Sequence, residues 1–196
     1  MINFDEKLKH AIANEDITFL EANKENYNIN HRFQDENNDT LLLYALSDAG
    51  SNTYEYLLKN NADITLVNDE GENIIHSVVY SGQVIRLVYI LNQYHLNINL
   101  KTNDGTTPLL LSVLLGKYEI FSYLIKHGAD VNISDKEGNT PLHPACFIGY
   151  KAMVIELVES GANLFAKTIK GNLPLALAVN GGHDEIVKYL FQKIYC

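Results

Sequence analysis

Cysteine is scarce in this chain of 196 residues, which contains only Cys146 and Cys196. Two cysteines do not form the disulfide framework of a small secreted domain, so we expect free thiols in a reducing compartment. Composition otherwise suits a folded protein, since 46% of the residues are hydrophobic and 20% are charged. These fractions exclude wholesale disorder.

Long apolar segments are also missing. The longest candidate, the run from Pro108 to Leu115, is far shorter than the roughly 20 residues that a membrane-spanning helix needs. The first residues include Asp5 and Glu6 and lack the apolar core of a signal peptide. We therefore predict a cytoplasmic protein without membrane contact, while secretion without a visible signal peptide stays open.

Basic residues are few relative to acidic ones, with 15 Lys and Arg against 24 Asp and Glu and a net charge of −9. Such a chain repels the phosphates of nucleic acid, and its basic residues are scattered along the sequence. We therefore predict no binding to nucleic acid. A basic protein is the partner that fits this charge best.

Motifs for catalysis and for cofactor or metal binding are missing too. Histidine, cysteine and carboxylate residues nowhere have zinc-ligand spacing, and no glycine-rich loop or nucleophile elbow follows a strand pattern. We predict a protein that is not an enzyme and that holds no cofactor and no metal. A deep pocket with convergent titratable groups would revive the enzyme interpretation.

The chain instead contains an internal repeat. The positions equivalent to a reference threonine follow one another at intervals of 33 or 34 residues: Thr40, Asn73, Thr107, Thr140 and Leu173. Two series of glycines keep the same register, one two residues before and one nine residues after these positions: Gly71, Gly105, Gly138 and Gly171, then Gly82, Gly116, Gly149 and Gly182. Glycine tolerates the positive φ of a turn, and the reference threonine can cap a helix that follows it.

The chain resembles the ankyrin-repeat proteins, whose signature T-P-L-H-x-A is complete at residues 140–145. The resemblance covers nearly the whole chain and implies an all-α solenoid of stacked helix-turn-helix units with projecting β-turns. It implies a single domain over residues 1–196, with irregular capping units at both ends. The approximate repeats are 1–34, 35–67, 68–101, 102–134, 135–167 and 168–196.

Two repeats depart from the signature. Repeat 35–67 has Leu41 in place of proline and Asn38 in place of the turn glycine. Repeat 68–101 begins its signature with Asn73 and contains one extra residue between Gly82 and His95. We expect the loop at positions 92–95 to bulge, and we expect both repeats to be less stable than the next two.

The same register assigns structural roles to residues that could otherwise carry chemistry. The resemblance implies that His76 and His143 form hydrogen bonds with the threonine-type residue or the nearby backbone, and that Cys146 faces the core. It also implies one modification, because ankyrin proteins of animal cells can be hydroxylated on the asparagine that closes a repeat. Asn132 is the candidate here, with Leu124 eight residues before it.

Ankyrin-repeat proteins contact their partners through the turns and through the exposed ends of the first helices. Carried over by register, the turns hold acidic residues at Glu70, Glu72 and Asp104, and Ile169, Lys170 and Asn172 lie in the last turn. The first-helix positions hold apolar and aromatic residues where polar ones are usual: Tyr80, Leu114, Leu115, Phe147 and Ile148. We predict an apolar protein-binding surface with an acidic rim, the alternative being that these side chains pack beneath the turns.

The prediction for function is a non-catalytic protein-interaction module that is a monomer on its own. Its partner stays open at this point. The chain would suit a bacterial immunity or antitoxin protein that occludes a basic toxin domain. It would equally suit a secreted effector that acts on host proteins, or a eukaryotic adaptor or assembly chaperone.

Overall fold

The computed structural model describes residues 3–34, 37–48 and 52–195. These residues form twelve α-helices and one short 3-10 helix, and they contain no strand beyond a single antiparallel bridge between Arg32 and Thr40. The predicted all-α architecture is therefore confirmed. No helix of the described ranges is both long and apolar enough to cross a membrane. The chain divides into two compact units, an N-terminal unit at 1–95 and a C-terminal unit at 96–196.

The N-terminal unit contains three helix pairs. Their bounds are α1 (Phe4–Ala13), α2 (Ile17–Ala22), α3 (Leu41–Ser47), α4 (Thr53–Lys59), α5 (Ile74–Ser81) and α6 (Val84–Gln93), with the 3-10 helix at Lys24–Asn26. The first helices α1, α3 and α5 pack on one another in sequence, and each also contacts its own second helix. The apolar residues of these contact faces, such as Leu8, Leu43 and Val78, are fully buried.

The C-terminal unit repeats the same arrangement. Its helices are α7 (Pro108–Leu114), α8 (Tyr118–Lys126), α9 (Leu142–Ile148), α10 (Lys151–Glu159), α11 (Pro174–Asn180) and α12 (Asp184–Tyr195). The first helices α7, α9 and α11 pack in one layer, and the second helices α8, α10 and α12 pack in another. Leu109, Leu142 and Cys146 are fully buried between the layers, as predicted for Cys146. Cys196 lies outside the described residues.

The reference threonines cap their helices in two repeats but not in the most regular one. The hydroxyls of Thr40 and Thr107 each accept a hydrogen bond at 3.2 Å from a backbone N–H in the first turn of α3 and α7. The hydroxyl of Thr140 contacts Nδ1 of His143 instead, at 2.9 Å, and α9 begins at Leu142 without a side-chain cap. The prediction of a threonine cap is therefore wrong for α9, because the backbone N–H of His143, the equivalent donor, bonds to the carbonyl oxygen of Thr140 at 2.9 Å.

The turn glycines are required both by conformation and by space. Gly105 and Gly138 adopt φ values of 91° and 80°. A Cβ added to Gly138 would lie 3.0 Å from Cα of Thr168 in the following turn. This close approach lets the backbone N–H of Ile169 donate to the carbonyl oxygen of Glu137 at 2.8 Å, so that successive turns of the C-terminal unit lie edge to edge.

The extra residue of repeat 68–101 lies in a helix and not in a loop. Helix α6 has ten residues and α8 has nine, and each begins two residues after its turn glycine, Gly82 and Gly116. The predicted bulge at positions 92–95 is therefore wrong. Asn92 and Gln93 extend α6, and both are exposed, so the added length disturbs no packed side chain.

Candidate functional site

An open groove lies between the turns and the first helices of the C-terminal unit, with a volume of about 430 Å³. Turn residues before α9 and before α11 form one side, and residues of α7, α9 and α11 form the other. The apolar residues that line the groove are Leu110, Leu114, Pro144, Phe147, Ile169 and Leu177. Three charged residues also line it: Asp135, Glu137 and Lys170.

Three of the apolar side chains are exposed in the groove. Leu114 is 47% exposed, Phe147 is 55% exposed and Ile169 is 78% exposed. Leu114 ends α7 and Phe147 holds the equivalent position in α9, 33 residues later, so the two helices that pack together present them in the same register. Exposed neighbouring apolar groups of this size mark surfaces that bind other molecules.

The structure separates the apolar residues that the sequence grouped together. Leu114 and Phe147 line the groove, whereas Leu115 and Ile148 are exposed but lie outside it. Tyr80 is exposed in the N-terminal unit. None of these five side chains is buried beneath the turns.

Ile169 is a groove residue that the sequence reasoning did not single out. It lies at the tip of the turn before α11 and is the most exposed large apolar side chain of the described residues. The available signal was an isoleucine in a turn position that usually holds a polar residue.

Two of the predicted rim carboxylates also hold their own turns. The Glu72 carboxylate accepts hydrogen bonds from the Tyr80 hydroxyl at 2.5 Å and from Nδ2 of Asn68 at 2.8 Å. Asp104 accepts from the Thr102 hydroxyl and, at 3.1 Å, from the backbone N–H of Thr106. The Thr102 hydroxyl and that N–H, acting against partial burial, lower the pKa of Asp104.

The net negative charge of the chain lies in one of its two units. Residues 1–95 contain 15 acidic and six basic residues, while residues 96–196 contain nine of each. The net charge of −9 therefore belongs to the N-terminal unit, and the unit that contains the groove is neutral overall. A single acidic rim around one apolar centre is thus too simple a description of this chain.

His143 lies at the bottom of the groove, but both of its ring nitrogens are engaged. Nε2 donates to the carbonyl oxygens of Ala166 and Asn172, at 3.1 and 3.3 Å. Nδ1 accepts from the backbone N–H of Thr140 at 3.0 Å and contacts its hydroxyl. These bonds assign the neutral tautomer with the proton on Nε2, and burial lowers the pKa of His143. The predicted structural role of this histidine is confirmed.

The second signature histidine has an equivalent role in α5. Nδ1 of His76 accepts from the backbone N–H of Asn73 at 3.3 Å, and Oδ1 of Asn73 accepts from the backbone N–H of His76 at 3.1 Å. This reciprocal pair is a capping box. Within the described ranges, no three His, Cys, Asp or Glu side chains lie close enough together to hold a metal ion.

The side chain of Asn132, the candidate for hydroxylation, bonds to the following repeat. Its Oδ1 accepts from the backbone N–H of Asn163 at 2.7 Å, and its Nδ2 donates to the carbonyl oxygen of Gly161 at 3.0 Å. In the same way, Oδ1 of Asn30 accepts from the backbone N–H of Asp63, and Oδ1 of Asn99 accepts from the backbone N–H of Asp130. This asparagine therefore links repeats, and its modification stays a prediction.

The neutral state of His143 predicts a pH dependence of stability. Because burial lowers its pKa in the folded protein, the unfolded chain takes up the proton first as the pH falls. The contribution of neutral His143 to the free energy of unfolding is complete above the usual histidine pKa of about 6.5. It is lost as the pH falls from that value to the lower pKa of the folded protein. We expect the free energy of unfolding, measured with urea, to fall less on acidification in His143→Gln than in wild type. Equal slopes in His143→Gln and wild type would contradict this account.

Comparisons with known proteins agree with the repeat. A family model described as ankyrin repeats (three copies) matches residues 42–135, 75–168 and 129–196. Delta-latroinsectotoxin-Lt1a of Latrodectus tredecimguttatus is 35% identical over 75 residues, which are 38% of this chain and 6% of the toxin. A fowlpox virus protein named as an ankyrin repeat protein is 28% identical over 93 residues, 45% of this chain and 27% of that protein.

A third relative is a protein of Saccharomyces uvarum named as a palmitoyltransferase. It is 33% identical over 70 residues, 33% of this chain and 10% of the yeast protein. The chain thus spans between 6% and 27% of the length of these three relatives.

Proposed function

The chain belongs to the ankyrin-repeat family, and we propose that it is a non-catalytic module that binds another protein through the groove of its C-terminal unit. The observation that supports this proposal most strongly is the exposure of Leu114, Phe147 and Ile169 in that groove. Moving a large apolar side chain out of water lowers the free energy. A partner that covers the groove buries these three side chains, and the complex is stabilised by their burial.

The free energy gained by burying these three side chains indicates how much the groove contributes to binding. Fully burying a leucine, isoleucine or phenylalanine side chain stabilises a complex by roughly 1.5–3 kcal/mol. Leu114 is 47% exposed, Phe147 is 55% exposed and Ile169 is 78% exposed, so covering all three gives roughly 3–5 kcal/mol together. A micromolar complex needs about 8 kcal/mol. The groove therefore supplies an anchor, and contacts with the surrounding turns supply the rest.

Two residues that could otherwise carry chemistry support the non-catalytic part of the proposal. Both ring nitrogens of His143 are held by hydrogen bonds within the groove. Burial raises the pKa of the Cys146 thiol to about 12, so this cysteine does not supply a thiolate nucleophile. A buried free thiol also suits a cytoplasmic location, which we propose together with a monomeric state in the absence of the partner.

Affinity capture from the native cell tests the proposal. We expect the wild-type chain to recover one protein that Phe147→Asp does not recover. Leu115→Asp is the matched control, since Leu115 is exposed outside the groove. Recovery of the same protein by Phe147→Asp would place the interface elsewhere. The identity of the recovered protein separates an immunity protein, an effector and an adaptor.

The charge of the N-terminal unit predicts how a basic partner approaches. Glu70 is exposed, whereas neutralising Glu72 or Asp104 would also remove the hydrogen bonds that hold their turns. We therefore expect Glu70→Lys to slow association by about two- to threefold at low salt, and to leave dissociation unchanged, because an exposed charge acts before contact.

Stopped-flow or surface-plasmon kinetics at low and high salt measure this effect. Glu159→Lys is the control, because it makes the same charge change at an exposed position of the neutral unit. An association rate of Glu70→Lys that matches wild type at both salt concentrations would contradict steering by the N-terminal unit.

A further inference from the structure

Two charged side chains lie at the groove on successive turns. Glu137 belongs to the turn before α9 and Lys170 to the turn before α11, and both line the groove. The two turns adjoin, because the backbone N–H of Ile169 donates to the carbonyl oxygen of Glu137 at 2.8 Å. Both side chains are exposed.

Neither of these two side chains has a hydrogen bond or an ion pair within the part of the chain that the structure describes. The third charged residue of the groove differs, since the Asp135 carboxylate accepts from the backbone N–H of Asn139 at 2.7 Å and from its Nδ2 at 3.0 Å. Asp135 therefore holds its turn. Glu137 and Lys170 present one negative and one positive charge that are available to a partner.

Charges that are available beside an apolar surface act mainly by excluding partners that carry a like charge at the same place. An exposed pair of opposite charges adds little to the affinity of a complex. A like charge placed against either group, however, weakens binding strongly once the partner covers the groove and removes water. A carboxylate and an ammonium on neighbouring turns therefore discriminate among partners by the order of their charges more than they add affinity.

We infer that the groove selects a protein segment that places large apolar side chains in the groove and also carries a basic residue, which faces Glu137, and an acidic residue, which faces Lys170. Leu114, Phe147 and Ile169 bind the apolar side chains, and the two charges fix the direction in which the segment lies across the turns. This inference rests on the proposed function, because it names the chemistry of the segment that the same groove binds.

Selection from a random peptide library displayed on phage tests the inference with the full chain as bait. The baits are wild type, Glu137→Lys, Lys170→Glu and Lys136→Glu. Lys136 is the matched control: it is exposed on the same turn as Glu137 but does not line the groove. Thermal unfolding of each bait checks that it is folded, which we expect because all three side chains are exposed.

We expect wild type and Lys136→Glu to enrich peptides that combine apolar residues with one basic and one acidic residue in a fixed order. Glu137→Lys should exchange the basic preference for an acidic one, and Lys170→Glu should exchange the acidic preference for a basic one. In fluorescence anisotropy with a synthetic copy of an enriched peptide, either reversal should weaken binding by about tenfold or more. The double variant should prefer the same peptide with its two charges interchanged.

The outcomes separate this inference from the proposed function. Apolar peptides that bind wild type, lose binding with Phe147→Asp and are indifferent to both charge reversals would overturn the charge pattern and leave the groove as the binding site. Peptides that bind Phe147→Asp as well as wild type would overturn both. A library that yields no peptide with apolar residues would also overturn the inference.

Discussion

Replacing Phe147 by alanine should weaken binding of the partner by about 1–4 kcal/mol, mostly through faster dissociation. The ring is 55% exposed in the free protein and lies in the groove with Leu114 and Ile169. A partner that covers the groove buries the ring, and truncation removes that contact from the complex while it removes little from the free protein. Surface-plasmon kinetics with the captured partner measure the two rate constants.

A second exposed phenylalanine provides the control for this experiment. Phe191 is 54% exposed, but it lies on α12 outside the groove, where its ring packs against Tyr195 with the centroids 4.5 Å apart. Phe191→Ala should therefore bind the partner like wild type. Equal affinities of Phe147→Ala and wild type would locate the interface elsewhere. A large fall in melting temperature for Phe147→Ala would show that the ring supports the fold.

The repeat could be located from the sequence because the backbone geometry of its turns restricts which residue can occupy certain single positions. A positive φ at Gly105 or Gly138, combined with a neighbouring backbone 3.0 Å from an added Cβ, leaves no choice of side chain. Asn38 adopts a φ of 51° at the equivalent position, a conformation that asparagine tolerates better than most residues. Requirements of this kind depend on local geometry alone, so they repeat visibly in the sequence.

The residues of the groove could be predicted only in part, because lining it depends on the direction of a side chain as well as on its position in the repeat. Leu114 and Leu115 are neighbours in the sequence, yet successive residues near a helix end point about 100° apart. One of them lines the groove and the other does not, and the same is true of Phe147 and Ile148. An isoleucine in a turn position indicates an exposed apolar side chain, but whether Ile169 lines the groove depends on how its turn approaches α9 and α11.

The net charge of the whole chain does not indicate how charge is distributed between the two units. The value of −9 favoured a basic partner, whereas the unit that contains the groove has equal numbers of acidic and basic residues. The hydrogen bonds of Glu72 and Asp104 further distinguish carboxylates that hold turns from those available to a partner. A net charge specifies neither where the charged side chains lie nor which groups they bond to.

Arg86 is the residue of the N-terminal unit whose replacement should cost most stability among the charged positions. It is only 2% exposed, and its Nη1 donates to the carbonyl oxygens of Ala45 at 3.3 Å, Leu46 at 3.1 Å and Asp48. The last carbonyls of a helix such as α3 have no partner within the helix. The guanidinium also lies 5.1 Å from the centroid of the Tyr54 ring, a cation–π distance.

We expect Arg86→Met to lower the free energy of unfolding by about 2–4 kcal/mol, because it keeps most of the side-chain volume but leaves buried carbonyl groups without a donor. Urea unfolding followed by circular dichroism measures the change. Arg86→Lys retains a charge but lacks the planar guanidinium, so its loss should be intermediate. Lys59→Met removes an exposed charge whose side chain is 73% accessible, and it should change the free energy by no more than about 0.5 kcal/mol. An equally small loss for Arg86→Met would mean that water satisfies the end of α3 once the guanidinium is gone.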